Sequence, residues 1–342
     1  MMNRRAFITG VSGTVLTAEE RAFIRTTRPW GFILFKRNID TPQQVSKLVA
    51  ELRAEADFPE APVLIDQEGG RVQRLGPPHW PVYPPGAIFS TLYDIDSQLG
   101  LAAARLSARL IAADLIDLGI TVDCLPLADV PVAGADAVIG NRAYGNEPGK
   151  VAAIARAVTD GLAQGGVLPV LKHIPGHGRA TADTHHALPV VDTPLAELQR
   201  TDFAAFQPLA DLAMAMTAHV VFSDLDAAQP ATTSATIIER VIRGTIGFQG
   251  LLMSDDVSMN ALAGTIAERS RAIVAAGCDM LLHCNGKLDE MQAVAAEAPW
   301  LVDEAKARAD RALAQRQQPQ PFDRIAARNE LDALIGRAGV GA

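Results

Sequence analysis

Leu168-Pro169-Val170-Leu171-Lys172-His173 sets an unbroken apolar run directly against a lysine and a histidine. A strand with one wet face alternates polar and apolar residues, whereas a strand buried on both faces is apolar throughout. This stretch therefore predicts a strand of a parallel sheet that ends in polar chemistry. Seven further runs have the same form: Ala6 to Val11, Gly31 to Phe35, Pro62 to Ile65, Ile120 to Leu125, Ala213 to Thr217, Leu251 to Met253 and Met280 to His283. The intervening segments Thr41 to Ala56, Asp96 to Leu118, Glu147 to Gln164, Pro194 to Ala210, Thr233 to Ile246 and Ala261 to Ala276 carry apolar residues at helical spacing. Eight strand-helix units in 342 residues predict an α/β fold, a single (β/α)8 TIM-type barrel over residues 1–342. A doubly wound sheet is the alternative, but no G-x-G-x-x-G follows the first run to seed a dinucleotide site. Gly76 to Gly86, with five prolines, reads as a loop. Gln317 to Phe322 reads as a linker to an amphipathic helix near Ile325 to Ile335, so 317–342 forms a short C-terminal appendage.

The chain is 49% hydrophobic and 20% charged, the composition of a folded globular protein. Its net charge of −8, with no cluster of Lys or Arg, argues against nucleic acid as a partner. No apolar run reaches the ~18 residues needed to cross a bilayer. Cys124, Cys278 and Cys284 form no C-x-x-C pair, which suits reduced thiols and a cytoplasmic location. Asn3-Arg4-Arg5 has the look of a twin-arginine export signal. The following stretch is interrupted by Gly10, Ser12, Gly13 and Thr14, with no small-x-small cleavage site before Glu19, and it reads instead as the first core strand.

Barrel enzymes place their chemistry at the C-terminal ends of the strands. The residues there are Asp66, Asp123, Asp129, Lys172, His173, His219, Asp255, Asp256 and His283. Asp129, His219 and His283 fit structural roles, as helix caps or satisfied core histidines. The Asp66-to-Arg74 stretch offers carboxylates and guanidiniums beside two glycines, a set able to grip hydroxyls by charge-assisted hydrogen bonds. Asp255 ends the Leu251 run and points to the barrel mouth, with Asp256 placed to cap the next helix. His173, His177, His185 and His186 fall within fourteen residues, but in neither an H-E-x-x-H nor a Cys/His pattern, which disfavours a metal site. Asp183 two residues before His185 can fix an imidazole tautomer and support proton transfer near neutral pH. A carboxylate nucleophile, a proton donor and hydroxyl-gripping groups suit glycoside hydrolysis, with its oxocarbenium-like transition state. Two other readings stay open: a Schiff-base aldolase with Lys172 as nucleophile, and a non-catalytic sugar-binding barrel.

The motifs Ile65 to Arg74, Ile139-Gly140-Asn141-Arg142, Lys172 to Gly178, Asp183-Thr184-His185 and Met253 to Met259 together resemble the β-N-acetylhexosaminidases of glycoside hydrolase family 3, in particular the bacterial type that recycles peptidoglycan fragments. The resemblance implies a single barrel with Asp255 as the nucleophile of a retaining mechanism and His185, paired with Asp183, as the acid/base. It further implies that Asp66, Arg74, Arg142, Lys172 and His173 bind the sugar. The implied substrate is a terminal β-linked N-acetylglucosamine on a 1,6-anhydro-N-acetylmuramyl residue, with or without peptide. The resemblance implies no metal or organic cofactor, and a monomer is expected. A phosphorylase is the alternative within this class, because a histidine acid/base does not repel an incoming phosphate as a second carboxylate would. Ala143-Tyr144 and Ile174 depart mildly from the family pattern and bear on substrate preference.

Overall fold

The computed structural model describes residues 3–180, 184 and 188–339. Eight parallel strands close into a barrel: β1 (Arg5–Thr9), β2 (Pro29–Leu34), β3 (Val63–Ile65), β4 (Val122–Asp123), β5 (Leu168–Ile174), β6 (Met214–Thr217), β7 (Leu251–Asp256) and β8 (Met280–His283). Each pairs with its neighbours in sequence. The ring shuts where Phe7, Ile8 and Thr9 of β1 align with Leu281, Leu282 and His283 of β8. Every apolar run read from the sequence supplies one of these strands.

Because side chains alternate across a strand, each continuous run feeds two separate cores. Phe7, Phe32, Ile65, Leu171, Leu252 and Leu281 face outward and pack beneath the helices. Ile8, Leu64, Val170, Met216, Met253 and Leu282 face inward and fill the barrel. This double burial is why the strands show no polar alternation.

The helices depart from the sequence reading in instructive places. The segment expected as one helix from Pro194 to Ala210 is broken into Leu195–Arg200, Asp202–Phe206 and a 3-10 turn at Gln207–Leu209. Thr201 leaves helical geometry at φ −116°, ψ −83°, and Pro208 has no N–H to continue the ladder. Ile237–Thr245 coils as a π-helical segment. Ala18–Thr27 is a helix that apolar spacing does not reveal, although the reciprocal Thr17–Glu20 capping box at its start is written in the sequence. Helices Ser97–Asp117 and Pro148–Gln164 approach so closely at Gly161 that an added Cβ would lie 2.2 Å from the Arg105 carbonyl. Helix Arg324–Gly336 packs back onto Ser97–Asp117, burying Ala327 and Leu331, with Arg324 gripping Asp117 through both carboxylate oxygens. Among the described residues no helix is long and apolar enough to cross a membrane.

The Arg4-Arg5 pair belongs to the base of the barrel. Arg4 donates to the carbonyls of Ala56 and Asp57, while Arg5 donates to those of Ala295 and Ala298 and stacks on Trp300. On the same side, buried Asp279 joins the strand ends to two helices. Its Oδ2 accepts from Arg243 at 2.8 Å and the Leu252 N–H at 2.9 Å, and its Oδ1 accepts from Arg308 at 2.9 Å. Removing a partner from such a group strands the remaining charges. Asp279→Ala is expected to cost roughly 3–5 kcal/mol, read as a lower urea midpoint at unchanged m-value, and Asp279→Asn less because it keeps acceptor capacity.

Candidate active site

Three inward positions are followed two residues later by polar ones at the mouth, Leu64 by Asp66, Val170 by Lys172 and Met253 by Asp255, with the register slipping beside the last two. All three line one cavity of about 350 Å³ at the C-terminal ends of the strands, with Met216 and Leu282 among its apolar wall. That volume lies near the lower end of the ~300–1,000 Å³ common for small-molecule sites and suits a compact ligand.

Lys172 is the centre of the site's charge network. Its Nζ lies 2.9 Å from Asp66 Oδ1 and 2.7 Å from Glu68 Oε1. Arg74 donates to the other oxygen of Asp66 at 3.0 Å, and Arg142 holds Glu68 in a bidentate grip at 2.7 and 2.8 Å. Burial alone would raise both carboxyl pKa values. The cations outweigh it, holding Asp66 well below the usual carboxylate range and Glu68 down to about 2, while the two acids keep Lys172 protonated despite its own burial. Glu68 was not singled out for the site by sequence reasoning, although it sits within the quoted Asp66-to-Arg74 stretch. Gly69 turns this carboxylate inward: at φ +91°, with a notional Cβ only 2.4 Å from the Pro84 carbonyl, only glycine lets the hairpin Gln67–Gly69/Val72–Gln73 fold down here.

His173 is oriented from behind. Its Nδ1 meets Asp129 Oδ2 at 2.7 Å, while Asp129 Oδ1 accepts the backbone N–H groups of His177 at 2.7 Å and His173 at 3.3 Å. A carboxylate acceptor fixes the proton on Nδ1 and directs Nε2 to other uses. Asp129, expected to be a cap or a bland core carboxylate, caps no helix and instead braces a cavity-lining imidazole. His177 also lines the cavity, and burial, followed by the nearby His173, depresses its pKa to about 4, so it is neutral at physiological pH.

Asp255 is half-buried at the end of β7, its Oδ1 accepting the Asp256 N–H at 2.7 Å. Burial pushes its pKa up; His219, His173, that N–H and Lys172 pull harder and leave it below its ordinary value. It is thus an ionised carboxylate facing the cavity. Asp256 was expected to cap the next helix, but that helix begins at Ile266 and Thr265 caps it. The Asp256 carboxylate instead accepts from the Ser258 N–H and hydroxyl and the Cys284 N–H, tying the ends of β7 and β8 together. His219 is buried between Thr232 Oγ1 at 2.8 Å and the Asp256 carbonyl at 3.0 Å, a satisfied core histidine, whereas buried His283 lies 3.5 Å from Glu290 and its Nδ1 has no partner among the described residues. Of the remaining sequence candidates, Asp123 accepts the Gln67 N–H, whereas Asp183 and His185 lie outside the described residues.

A larger cavity of about 790 Å³ opens at the opposite face, where Trp30, Phe58, Leu168 and Leu301 give it an apolar lining. Its charged lining includes the solvent-exposed pairs Lys306–Asp310 and Arg316–Glu60 and not a buried cluster, and barrel chemistry sits at the other end. The 350 Å³ cavity is therefore the candidate site.

Residues 10–315 match the family model described as the glycosyl hydrolase family 3 N-terminal domain. The chain belongs to glycosyl hydrolase family 3. Within the family it is 38% identical over 293 residues to a β-hexosaminidase of Chromobacterium violaceum, covering 84% of this chain and 81% of the relative. A β-hexosaminidase of Stenotrophomonas maltophilia is 38% identical over 283 residues, covering 82% of this chain and 83% of the relative. Among solved structures, native NagZ from Neisseria gonorrhoeae superposes with a TM-score of 0.85 at 31% identity, covering 99% of this chain and 98% of that one. The same protein in complex with N-trifluoroacetyl-D-glucosamine gives 0.84 at 30% identity, covering 98% of each chain. This family 3 chain is a glycoside hydrolase of the β-N-acetylhexosaminidase type, as its motifs led one to expect.

The low folded-state pKa of Glu68 makes its ion pairs a source of acid sensitivity. Their stabilisation is complete above the ordinary value of 4.5 and is lost as pH falls from there through about 2. Urea midpoints measured between pH 6 and pH 2 are expected to fall over this window, and less steeply in Glu68→Gln than in the wild type.

Proposed function

We propose that this enzyme is a retaining exo-β-N-acetylglucosaminidase that removes terminal β-linked N-acetylglucosamine from peptidoglycan fragments in the cytoplasm. The observation that carries the reading is one cavity holding an ionised, half-buried Asp255 beside a closed end built of Asp66, Arg74, Lys172, Glu68 and Arg142. We assign Asp66, Arg74, Arg142, Lys172 and His173 to the sugar hydroxyls and N-acetyl group. Three buried, unpaired cysteines are compatible with a reducing compartment.

Asp255 is assigned as the nucleophile. Its carboxylate oxygen bonds to the anomeric carbon as the bond to the leaving oxygen breaks, and that oxygen takes a proton from His185. Water then attacks the same carbon while His185 recovers a proton, Asp255 departs, and the sugar leaves with its original configuration. The network supports a histidine as donor. Asp66 and Glu68 are held ionised by their cations, and Asp256 already accepts three hydrogen bonds, so none of these carboxylates is suited to donate. Asp183, two residues before His185, is assigned to fix its tautomer.

Hydrolysis of p-nitrophenyl β-N-acetylglucosaminide beside the matching glucoside, each with and without phosphate, tests the reaction. Selective release of N-acetylglucosamine, unaffected by phosphate, is expected; N-acetylglucosamine 1-phosphate as product would make the enzyme a phosphorylase. Asp255→Ala is expected to lower kcat by ~10⁴-fold or more with an unchanged circular dichroism spectrum, and near-normal turnover would remove the nucleophile assignment. His185→Ala is expected to cost ~10²–10⁴-fold on a disaccharide and much less on the activated aryl glycoside. Equal losses on both substrates would count against an acid role.

A further inference from the structure

Four cationic side chains border the candidate site, and three are neutralised by its own carboxylates. Lys172 faces Asp66 and Glu68, Arg74 faces Asp66, and Arg142 grips Glu68. Arg71 differs. Its Nη2 donates to the backbone carbonyls of Ala137, at 2.8 Å, and Val138, and among the described residues it joins no carboxylate. Asp136, the acid of that same loop, is engaged by the Val138 N–H at 2.7 Å.

Arg71 also occupies a distinct depth. Side-chain exposure rises from 2% at Lys172 through 11% at Arg142 to 26% at Arg74, which marks the closed end and the direction of the mouth. Arg71 is exposed at the turn of the hairpin whose base carries Asp66, yet it still lines the cavity. Resting on the exo-glycosidase reading above, the released sugar fills the closed end and the leaving group lies toward the mouth. We infer that Arg71 is a recognition point for a carboxylate carried by the leaving group. The Ala137 and Val138 carbonyls orient the guanidinium through one nitrogen without cancelling its charge. The rest of its rigid donor fork is left for a carboxylate, a geometry that a lysine ammonium does not reproduce.

The test compares 4-carboxyphenyl β-N-acetylglucosaminide with its methyl ester in the wild type, Arg71→Gln and Arg71→Lys, at low and high salt. Arg71→Gln is expected to lower kcat/KM for the carboxylate about tenfold or more beyond any loss on the ester, the scale of a hydrogen bond to a charged group. Arg71→Lys is expected to keep part of the preference. Added KCl is expected to erode the wild-type preference, an arm that needs no variant to fold. Equal losses on the two substrates, or a salt-independent ratio in the wild type, would reduce Arg71 to a brace for the 137–138 backbone and overturn the inference while leaving the hexosaminidase reading intact. Failure of the wild type to cleave either substrate would overturn both.

Discussion

The site is organised around a buried ammonium. Lys172 has almost no contact with solvent, and a cation in that position is tolerable only with anions at hydrogen-bond distance on more than one side. Asp66 comes from the end of β3 and Glu68 from the hairpin beyond it, so one ion cluster pins strand, hairpin and β5 together. The two acids need their own counterions, which draws in Arg74 and Arg142 from two further segments. The result is an ion-paired floor whose donors are already aimed, with the buried Arg74 Nε unpaired among the described residues. A sugar hydroxyl entering it meets oriented charges instead of mobile ones, which lowers the reorganisation that binding and catalysis require.

The barrel provides this arrangement through alternation modified at the mouth, where the register slips between Leu171 and Ile174 of β5 and between Met253 and Asp256 of β7. An inward residue is followed two positions later by another inward residue, so each strand that fills the barrel with Leu64, Val170 or Met253 presents its next inward side chain at the mouth. Apolar packing and chemistry are thus successive positions on one ladder. Asp256, beyond the register slip of β7, also borders the cavity and secures β7 to β8 through Ser258 and Cys284.

The strands were legible because parallel strands buried on both sides carry a signal that no other element imitates over eight repeats. The helices were less so: Thr201 and Pro208 interrupt a segment whose apolar spacing looks continuous, and spacing cannot report a local dihedral. The sugar-facing candidates were legible as strand-end residues and through motif resemblance, and Asp66, Arg74, Arg142, Lys172 and His173 do line one cavity with Asp255. The bracing residues were not. Asp129 and Glu68 act through His173 and Lys172, and a second carboxylate beside an ion pair looks, in one dimension, like any surface acid.

The base of the barrel has a different implication. The Ala6 N–H donates to the Pro299 carbonyl and the Leu301 N–H to that of Arg4, while Arg5 reaches the carbonyls of Ala295 and Ala298. The first strand of the barrel thus finds its last partners in almost the final stretch of the barrel. Until about residue 300 is synthesised, β1 has an open edge and an unfilled apolar face, the features that invite wrong pairing. Shielding of the partly built barrel until its closing segment arrives is thus a requirement that this topology places on folding.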